Sequence, residues 1–431
     1  MLKIQKCSVT HVKEDLLSPF GFKGGYLTQL WQSVVKIECD GYTAVSPCTQ
    51  SVLWSDPKVF NAFPGEKGDG IMLSVTQKAC EMLEGTSFDT PREVIPALLP
   101  ELKKHAFSLT GFEVAETFIL NSLVGVDIAL WSVWCQKHGI TRFEDMIPQN
   151  AKTAMNACHQ SLARIPLVSY GVSMDEIKRL ADTGTALMKI KIGAPSGKEP
   201  GSEEDMRIMV EKDIDRISSI HNLVKDIPTS LTKNGKVMYY LDANGRYDTL
   251  SRLETLLEGI EKMGASHRIA LIEEPFSAEK EYYVGDYPYV FNADESAHSV
   301  EDVKKRIEMG YKAVALKPIA KTVSVSFDMI TAAREKGCGV LCADLTVNPF
   351  LAEWNKQFAA ASPALDVMNV GCIEINGDAN YTRWNKMKSL LPAEYPLAEE
   401  KNGAFELNNE FFAGFSLLTG ENGYYKYFGK E

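Results

Sequence analysis

From about residue 150 to residue 384 the chain alternates short apolar runs with amphipathic stretches. The runs 167–172 (LVSYGV), 187–192 (LMKIKI), 237–242 (VMYYLD), 269–273 (IALIE), 289–294 (YVFNAD), 313–317 (AVALK), 339–343 (GVLCA) and 366–370 (DVMNV) predict strands. They are nearly continuous in apolar residues, as strands covered on both faces must be. Between them, SMDEIKRLADTG (173–184) and SVEDVKKRIEMG (299–310) open on a Ser-x-x-acid pattern and close on glycine, the marks of a helix start and stop. DTLSRLETLLEGIEKMG and TAAREKG also end on glycine. Eight strand-helix units in about 220 residues predict an α/β parallel barrel rather than an open sheet.

Residues 1–150 carry a different pattern. SVVKIECDGYTAVSP is an apolar run, an Asp-Gly turn and a second run, which predicts a hairpin. The stretch 92–138 has helical periodicity, and its segment VAETFILNSLVGVDIALWSVWCQKHG is apolar enough to be buried. The expected organisation is an α+β domain over 1–150 and a barrel over 151–384. The tail 385–431, aromatic over 411–428, is too apolar to stand in water and is expected to fold back onto the N-terminal domain.

Composition narrows the partners. The chain has 431 residues, room for a large core and more than one domain. A net charge of −11 argues against nucleic acid, which needs a basic face. It also speaks against an anionic membrane surface. No apolar run approaches the roughly 20 residues of a membrane helix, so no membrane span is expected. The start MLKIQKCSVTHVKEDL lacks the apolar core of a secretory leader. The nine cysteines are scattered without a CxxC pair, which predicts reduced thiols and a cytoplasmic location.

The chemistry lies at the ends of the apolar runs. Asp242, Glu273 and Asp294 each stand where a predicted strand gives way to a loop, 31 and 21 residues apart. Carboxylates delivered by successive strands converge at the mouth of a parallel barrel. They offer oxygen ligands to a hard divalent cation such as Mg²⁺, one ion, with Mn²⁺ as a substitute. Asn244 shares a strand face with Asp242 and is a candidate for support. Lys189 and Lys191 also share a face within an apolar strand, which is costly unless an anion joins them. Lys317 ends another strand well around the barrel. Crowding cations beside a metal is expected to lower a lysine pKa and free it to act as a base. One base contributes roughly 10²–10⁴ in rate, so abstraction of a proton next to a carboxylate also needs the cation to stabilise the enediolate.

These residues resemble the enolase superfamily, and within it the muconate lactonizing enzyme-like subgroup of the mandelate racemase/muconate lactonizing enzyme family. The matching motifs are KIK (189–191), LDANG (241–245), IEEP (272–275), ADES (293–296) and LKP (316–318), in family order, and the likeness covers nearly the whole chain. The resemblance implies a modified TIM barrel, (β/α)7β, with an α+β capping domain completed by the C-terminal tail. It implies that Asp242, Glu273 and Asp294 bind Mg²⁺. Strand alternation alone does not choose between Glu273 and Glu274. It further implies Lys191 and Lys317 as an acid/base pair on opposite faces of a small carboxylate substrate, with Lys189 neutralising the carboxylate. A lysine base working with Mg²⁺ is the chemistry that the resemblance implies. Family habit implies a homo-oligomer.

The chain also departs from the subgroup. After the LKP strand, where Gly-Gly is common, it has PIAKTVSVS with a second lysine, Lys321. Asp344 follows the next strand. Where dipeptide epimerases of similar scaffold carry Asp-x-Asp-Gly, this chain has Glu374-Ile375-Asn376-Gly377. Glu295, Lys23, Asp344 and Asn376 join Asn244 as candidates for support or substrate contact, Lys23 from the cap loop SPFGFKGG (18–25). The expected function is an isomerase of racemase, epimerase or cycloisomerase type. The alternatives are a lyase, namely an acid-sugar or other carboxylate dehydratase, and a non-catalytic binding protein on the same fold. A barrel metal hydrolase would need histidines near strand ends, and the seven here do not fall at such places.

Overall fold

A computed structural model describes residues 1–22 and 25–429, with side chains for all of these except 20–22 and 25. Strands β1 (Leu2–Phe22), β2 (Gly25–Cys39), β3 (Tyr42–Gln50) and β4 (Ser87–Phe88) form an antiparallel sheet in the order β3-β2-β1-β4. The expected Asp-Gly hairpin joins β2 to β3, and Asp40 and Gly41 both take positive φ (48° and 86°), which a tight right-twisted turn requires. Three long helices, Glu66–Leu83, Pro91–Thr110 and Glu116–His138, cover this sheet.

The helix Glu116–His138 corrects one expectation. Among the described residues it is long and apolar enough to cross a membrane, with a mean hydropathy of 1.6 over its most apolar window. Asn121 and Asp127 interrupt the apolar run without lowering that mean enough. Here 94% of the window is buried inside the protein, so the helix is a core element.

The barrel strands are β5 (Ser161–Ile165), β6 (Leu167–Val168), β7 (Leu187–Lys191), β8 (Met238–Asp242), β9 (Ile269–Glu273), β10 (Phe291–Ala293), β11 (Ala313–Leu316), β12 (Gly339–Cys342) and β13 (Gly371–Glu374). All pair in parallel. β5 pairs with β13 and β6 with β7, so the barrel closes through one strand broken at Pro166, which has no N–H to give. That first strand begins earlier than the run 167–172. The last strand is 371–374, not 366–370, because Asn369 leaves the sheet to donate to the carbonyls of Ser230 and Thr232.

Helices Met174–Asp182, Glu203–Val224, Leu250–Lys262, Val300–Glu308, Val323–Glu335 and Pro349–Ala361 surround the barrel. Ser173 and Ser299 cap their helices as expected, Ser299 with the full reciprocal box to Asp302. No regular helix follows β9, where the irregular segment 274–290 takes that place, and β13 is followed by one helical turn, Gly377–Asn380. The architecture is a modified (β/α)7β TIM barrel with an α+β cap.

The tail reaches both parts. Strands β14 (Glu400–Lys401) and β15 (Ala404–Glu406) extend the barrel sheet against β5. Beyond them, Asn422 donates to the Val45 carbonyl (2.8 Å) and Tyr425 to that of Thr43 (2.9 Å). The far end of the β1–β2 hairpin docks on the loop after β13. There Arg383 pairs with Glu14 (3.0 Å) and the Thr382 N–H donates to the Asp15 carbonyl (3.0 Å). The hairpin therefore stands over the C-terminal mouth of the barrel.

Candidate functional site

Strand register sets the site. Lys191 lies opposite Asp242 across β7 and β8, Asp242 opposite Glu273 across β8 and β9, and Glu273 opposite Asn292 across β9 and β10. Residues two apart share a face, so Lys189, Tyr240 and Asn292 form a layer beneath Lys191, Asp242 and Asp294. Tyr240 and Asn292 were not singled out from the sequence, although their period-two relation to Asp242 and Asp294 marks them. Both donate to Glu273 Oε2, Asn292 at 2.6 Å.

Nine of the sequence-selected residues line one cavity at the barrel mouth: Lys189, Lys191, Asp242, Asn244, Asp294, Glu295, Lys317, Asp344 and Asn376. Glu273 sits just below, in contact with Lys189. Lys23 lies outside the described residues. β7 and β11 are four steps apart in the ring, so Lys191 and Lys317 enter the cavity from opposite sides.

Asp242, Glu273 and Asp294 each meet an ammonium group. Lys189 Nζ stands between Asp242 Oδ2 (3.0 Å) and Glu273 Oε1 (2.8 Å), with Glu374 at 3.3 Å. Lys191 Nζ donates to Asp242 Oδ2 (2.6 Å) and to Asn244 Oδ1 (2.5 Å). Asn244, held at φ +45°, passes its amide hydrogen on to Glu295 (2.8 Å). Lys317 Nζ donates to Asp294 Oδ2 (2.5 Å) and stands 4.6 Å from the Trp54 ring centroid, a cation–π contact. Lys321 is fully buried and spans the Asp294 and Ala297 carbonyls (2.8 and 2.9 Å).

The pair Glu273 and Glu274 is separated by the backbone. Glu274 turns through φ +40° and accepts from the N–H groups of Asp294 (2.9 Å) and Ser296 (3.2 Å) and from the Ser296 hydroxyl (3.0 Å). It ties two loops together, while Glu273 faces the barrel interior. Asp344 accepts from the Asn376 N–H (2.7 Å), and Glu374 accepts from the Asn376 side chain (2.9 Å). His298 stays at its helix start, where its N–H donates to Asp302 (3.1 Å).

Burial opposes every charge here, and the pairings decide which survive. Lys189 and Lys191 outweigh burial at Asp242 and hold it below the usual carboxylate range. Lys317, Lys321 and Lys189 do the same for Asp294. Burial pushes Glu273 up to about 7, and burial with Glu374 pushes Asp344 up to about 7. The carboxylates around Lys189 and Lys317 outweigh burial and raise the pKa of both. At Lys321 burial prevails and lowers it.

Among the described residues, no three His, Cys, Asp or Glu side chains stand close enough together to grip a metal ion. The donor chemistry nevertheless fits a hard divalent cation. Asp242, Glu273 and Asp294 are buried and offer only oxygen, and each faces an ammonium group whose positive charge a bound cation would replace in part.

The wall facing this polar floor comes from the cap. Leu16, Leu27, Leu30, Ser51 and Trp54 line it. Leu16, Leu27 and Leu30 stand on the β1–β2 hairpin and Ser51 and Trp54 just after β3, so they reach the cavity only when the cap packs on the barrel, and no local signal marks them.

No family model and no curated protein matches the chain. Solved structures share its fold at low identity. A mandelate racemase/muconate lactonizing protein from Herpetosiphon aurantiacus aligns at 17% identity and TM-score 0.68, over 96% of this chain and 97% of that one. The L-Ala-D/L-Glu epimerase from Bacillus subtilis, in a substrate-liganded complex, aligns at 16% and 0.67, over 94% and 96%. The N-succinyl Arg/Lys racemase from Bacillus cereus aligns at 14% and 0.64, over 96% and 95%.

Proposed function

We propose that the chain belongs to the enolase superfamily and is an Mg²⁺-dependent enzyme that removes the proton α to a substrate carboxylate, as a racemase, epimerase or cycloisomerase. The observation that carries this reading is two buried lysines, Lys191 and Lys317, entering one cavity from opposite strands beside three buried carboxylates. The racemase and epimerase named among the structures of like fold support the same class of reaction.

Asp242, Glu273 and Asp294 would hold the cation, which when bound supplies electrostatic stabilisation for the charge that develops on the substrate carboxylate. Lys189 adds a fixed positive charge at the floor of the cavity, 4% exposed, where a substrate carboxylate gains most from it. Lys191 Nζ and Lys317 Nζ face the α-carbon from opposite sides, one taking the proton as the neutral amine and the other delivering one from its ammonium form, so that the two exchange protonation states in each turnover. Asn244 orients Lys191 through a hydrogen bond to Nζ, and Trp54 shields Lys317 from water. The leucines of the capping hairpin exclude solvent, which strengthens each of these interactions.

The test is incorporation of solvent deuterium at the α-carbon across a library of carboxylic acids, with Mg²⁺ and with chelator. The expected result is exchange that needs Mg²⁺ and is lost in both K191A and K317A. Full exchange in both variants would remove the assignment.

A further inference from the structure

The segment that carries Lys317 and Lys321 is fastened by a residue about 190 positions away in sequence. Asp127 lies within the helix Glu116–His138, fully buried among apolar neighbours. A carboxylate there is costly unless hydrogen bonds satisfy it. Its Oδ2 accepts from the Ser324 N–H (3.0 Å) and its Oδ1 from the Ser324 hydroxyl (2.5 Å). Trp131, one helical turn on, donates its ring N–H to the same hydroxyl oxygen (3.0 Å).

Ser324 is the second residue of the helix Val323–Glu335, so an acidic group faces the unpaired N–H groups of that helix start. The residues before it form a tight turn. The N–H groups of Ala320 and Lys321 both donate to the Lys317 carbonyl (2.8 and 2.6 Å). Thr322 then takes φ +69°, a strained conformation for a β-branched residue that the surroundings must enforce. Lys321, on this turn, grips the Asp294 and Ala297 carbonyls of the neighbouring loop.

We propose that Asp127 is a positioning residue for Lys317 and Lys321: by clamping Ser324 it holds the strained turn 317–322 and so fixes where the Lys317 ammonium stands in the cavity. Asp127 thereby acts on the proton-transfer site without touching Lys317 or Lys321. This rests on the reading of Lys317 as a proton-transfer group, and a misplacement of about 1 Å in such a group costs up to about 10²-fold in rate.

The experiment compares wild type, D127A and D127N. Amide hydrogen exchange of the segment 317–326 is expected to rise about tenfold or more in D127A, with strands β7 and β8 unchanged. D127N keeps a carbonyl acceptor for the Ser324 N–H and is expected to restore exchange to within about threefold of wild type. On a carboxylic acid that exchanges its α-proton with the wild type, D127A is expected to lower kcat about tenfold or more with KM within about twofold. If D127A does not accumulate as folded protein, S324A weakens the same clamp from the barrel side and should loosen 317–326 by about threefold or more. Exchange at 317–326 equal to wild type would overturn the proposal, as would equal loosening of the helix Glu116–His138 and the barrel strands. The exchange measurement uses the protein alone, so failure of the Lys317 reading is seen separately, as full activity in K317A.

Discussion

Replacing Lys189 with methionine removes an ammonium group that faces three carboxylates. Its Nζ lies 2.8–3.3 Å from Glu273, Asp242 and Glu374, and the side chain is 4% exposed. At an effective dielectric of about 20, each contact near 3 Å amounts to about 5 kcal/mol of gross Coulomb energy. Most of that is offset by the desolvation of the ions, and removing one partner of a buried pair costs about 3–5 kcal/mol net, because the remaining charge stays buried. For 431 residues the unfolding entropy is about 0.9 kcal/mol/K, so a loss of about 4 kcal/mol lowers the midpoint by about 4 °C. The folded pKa of Lys189 is raised well above the ordinary lysine value. The stability it contributes is therefore fully present at neutral pH and is lost only as pH rises through that raised value. The assay is thermal unfolding of wild type and K189M near neutral pH, in EDTA and in Mg²⁺. In EDTA the variant should melt about 4 °C lower. Mg²⁺ at about 100 times its Kd adds about 2.7 kcal/mol to any protein that binds it only when folded. With Asp242 and Glu273 released from Lys189, the variant should gain at least as much from Mg²⁺ as wild type. A variant within about 1 °C of wild type in EDTA would refute the electrostatic argument. Indifference of both proteins to Mg²⁺ would refute the metal site.

K191A and K317A should each lower α-proton exchange by about 10²–10⁴-fold while circular dichroism stays that of the folded protein, and each should melt up to about 4 °C lower because it takes one ammonium from a buried carboxylate. E273Q should abolish the stabilisation by Mg²⁺ seen in thermal melts. E274Q should keep that response and instead lower the melting point, because Glu274 accepts from Asp294 and Ser296 and does not face the barrel. Asp213 accepts from the Gly193 N–H (2.7 Å) and the Tyr247 hydroxyl (2.8 Å) just beyond Lys191, and burial pushes its pKa up to about 6. Its neutral form is favoured in the fold, so its contribution is present below its ordinary value and is lost as pH rises through about 6. Urea unfolding of D213N should lack that part of the pH slope, about 3 kcal/mol across the window. An identical slope in the variant would remove the assignment.

What the amino-acid order determined by itself was the barrel and the level of its polar residues. Strands covered on both faces are apolar throughout, so the lysines and carboxylates at their ends stand out, and period-two alternation places Lys189 with Lys191 on one face. The ends of the barrel were less legible. β5 contains Arg164, whose charge is met by Asp378 and Glu400 from distant segments, so the run does not read as a buried strand. DVMNV looks as apolar as GCIE, and only the contact of Asn369 with the loop at Ser230 decides that the strand begins later.

Tertiary structure alone decided the rest. A positive φ at Glu274, enforced by the neighbouring loop, turns one glutamate of an adjacent pair to the backbone and leaves the other facing inward. The charge states of the lysines follow from which carboxylates close around them, and that is a property of the assembled ring. The leucines and Trp54 of the cap, and the grip of Asp127 on Ser324, join residues separated by long stretches of chain. Periodicity reports which face of an element is buried, whereas the identity of the group on the other side is fixed only when the elements pack.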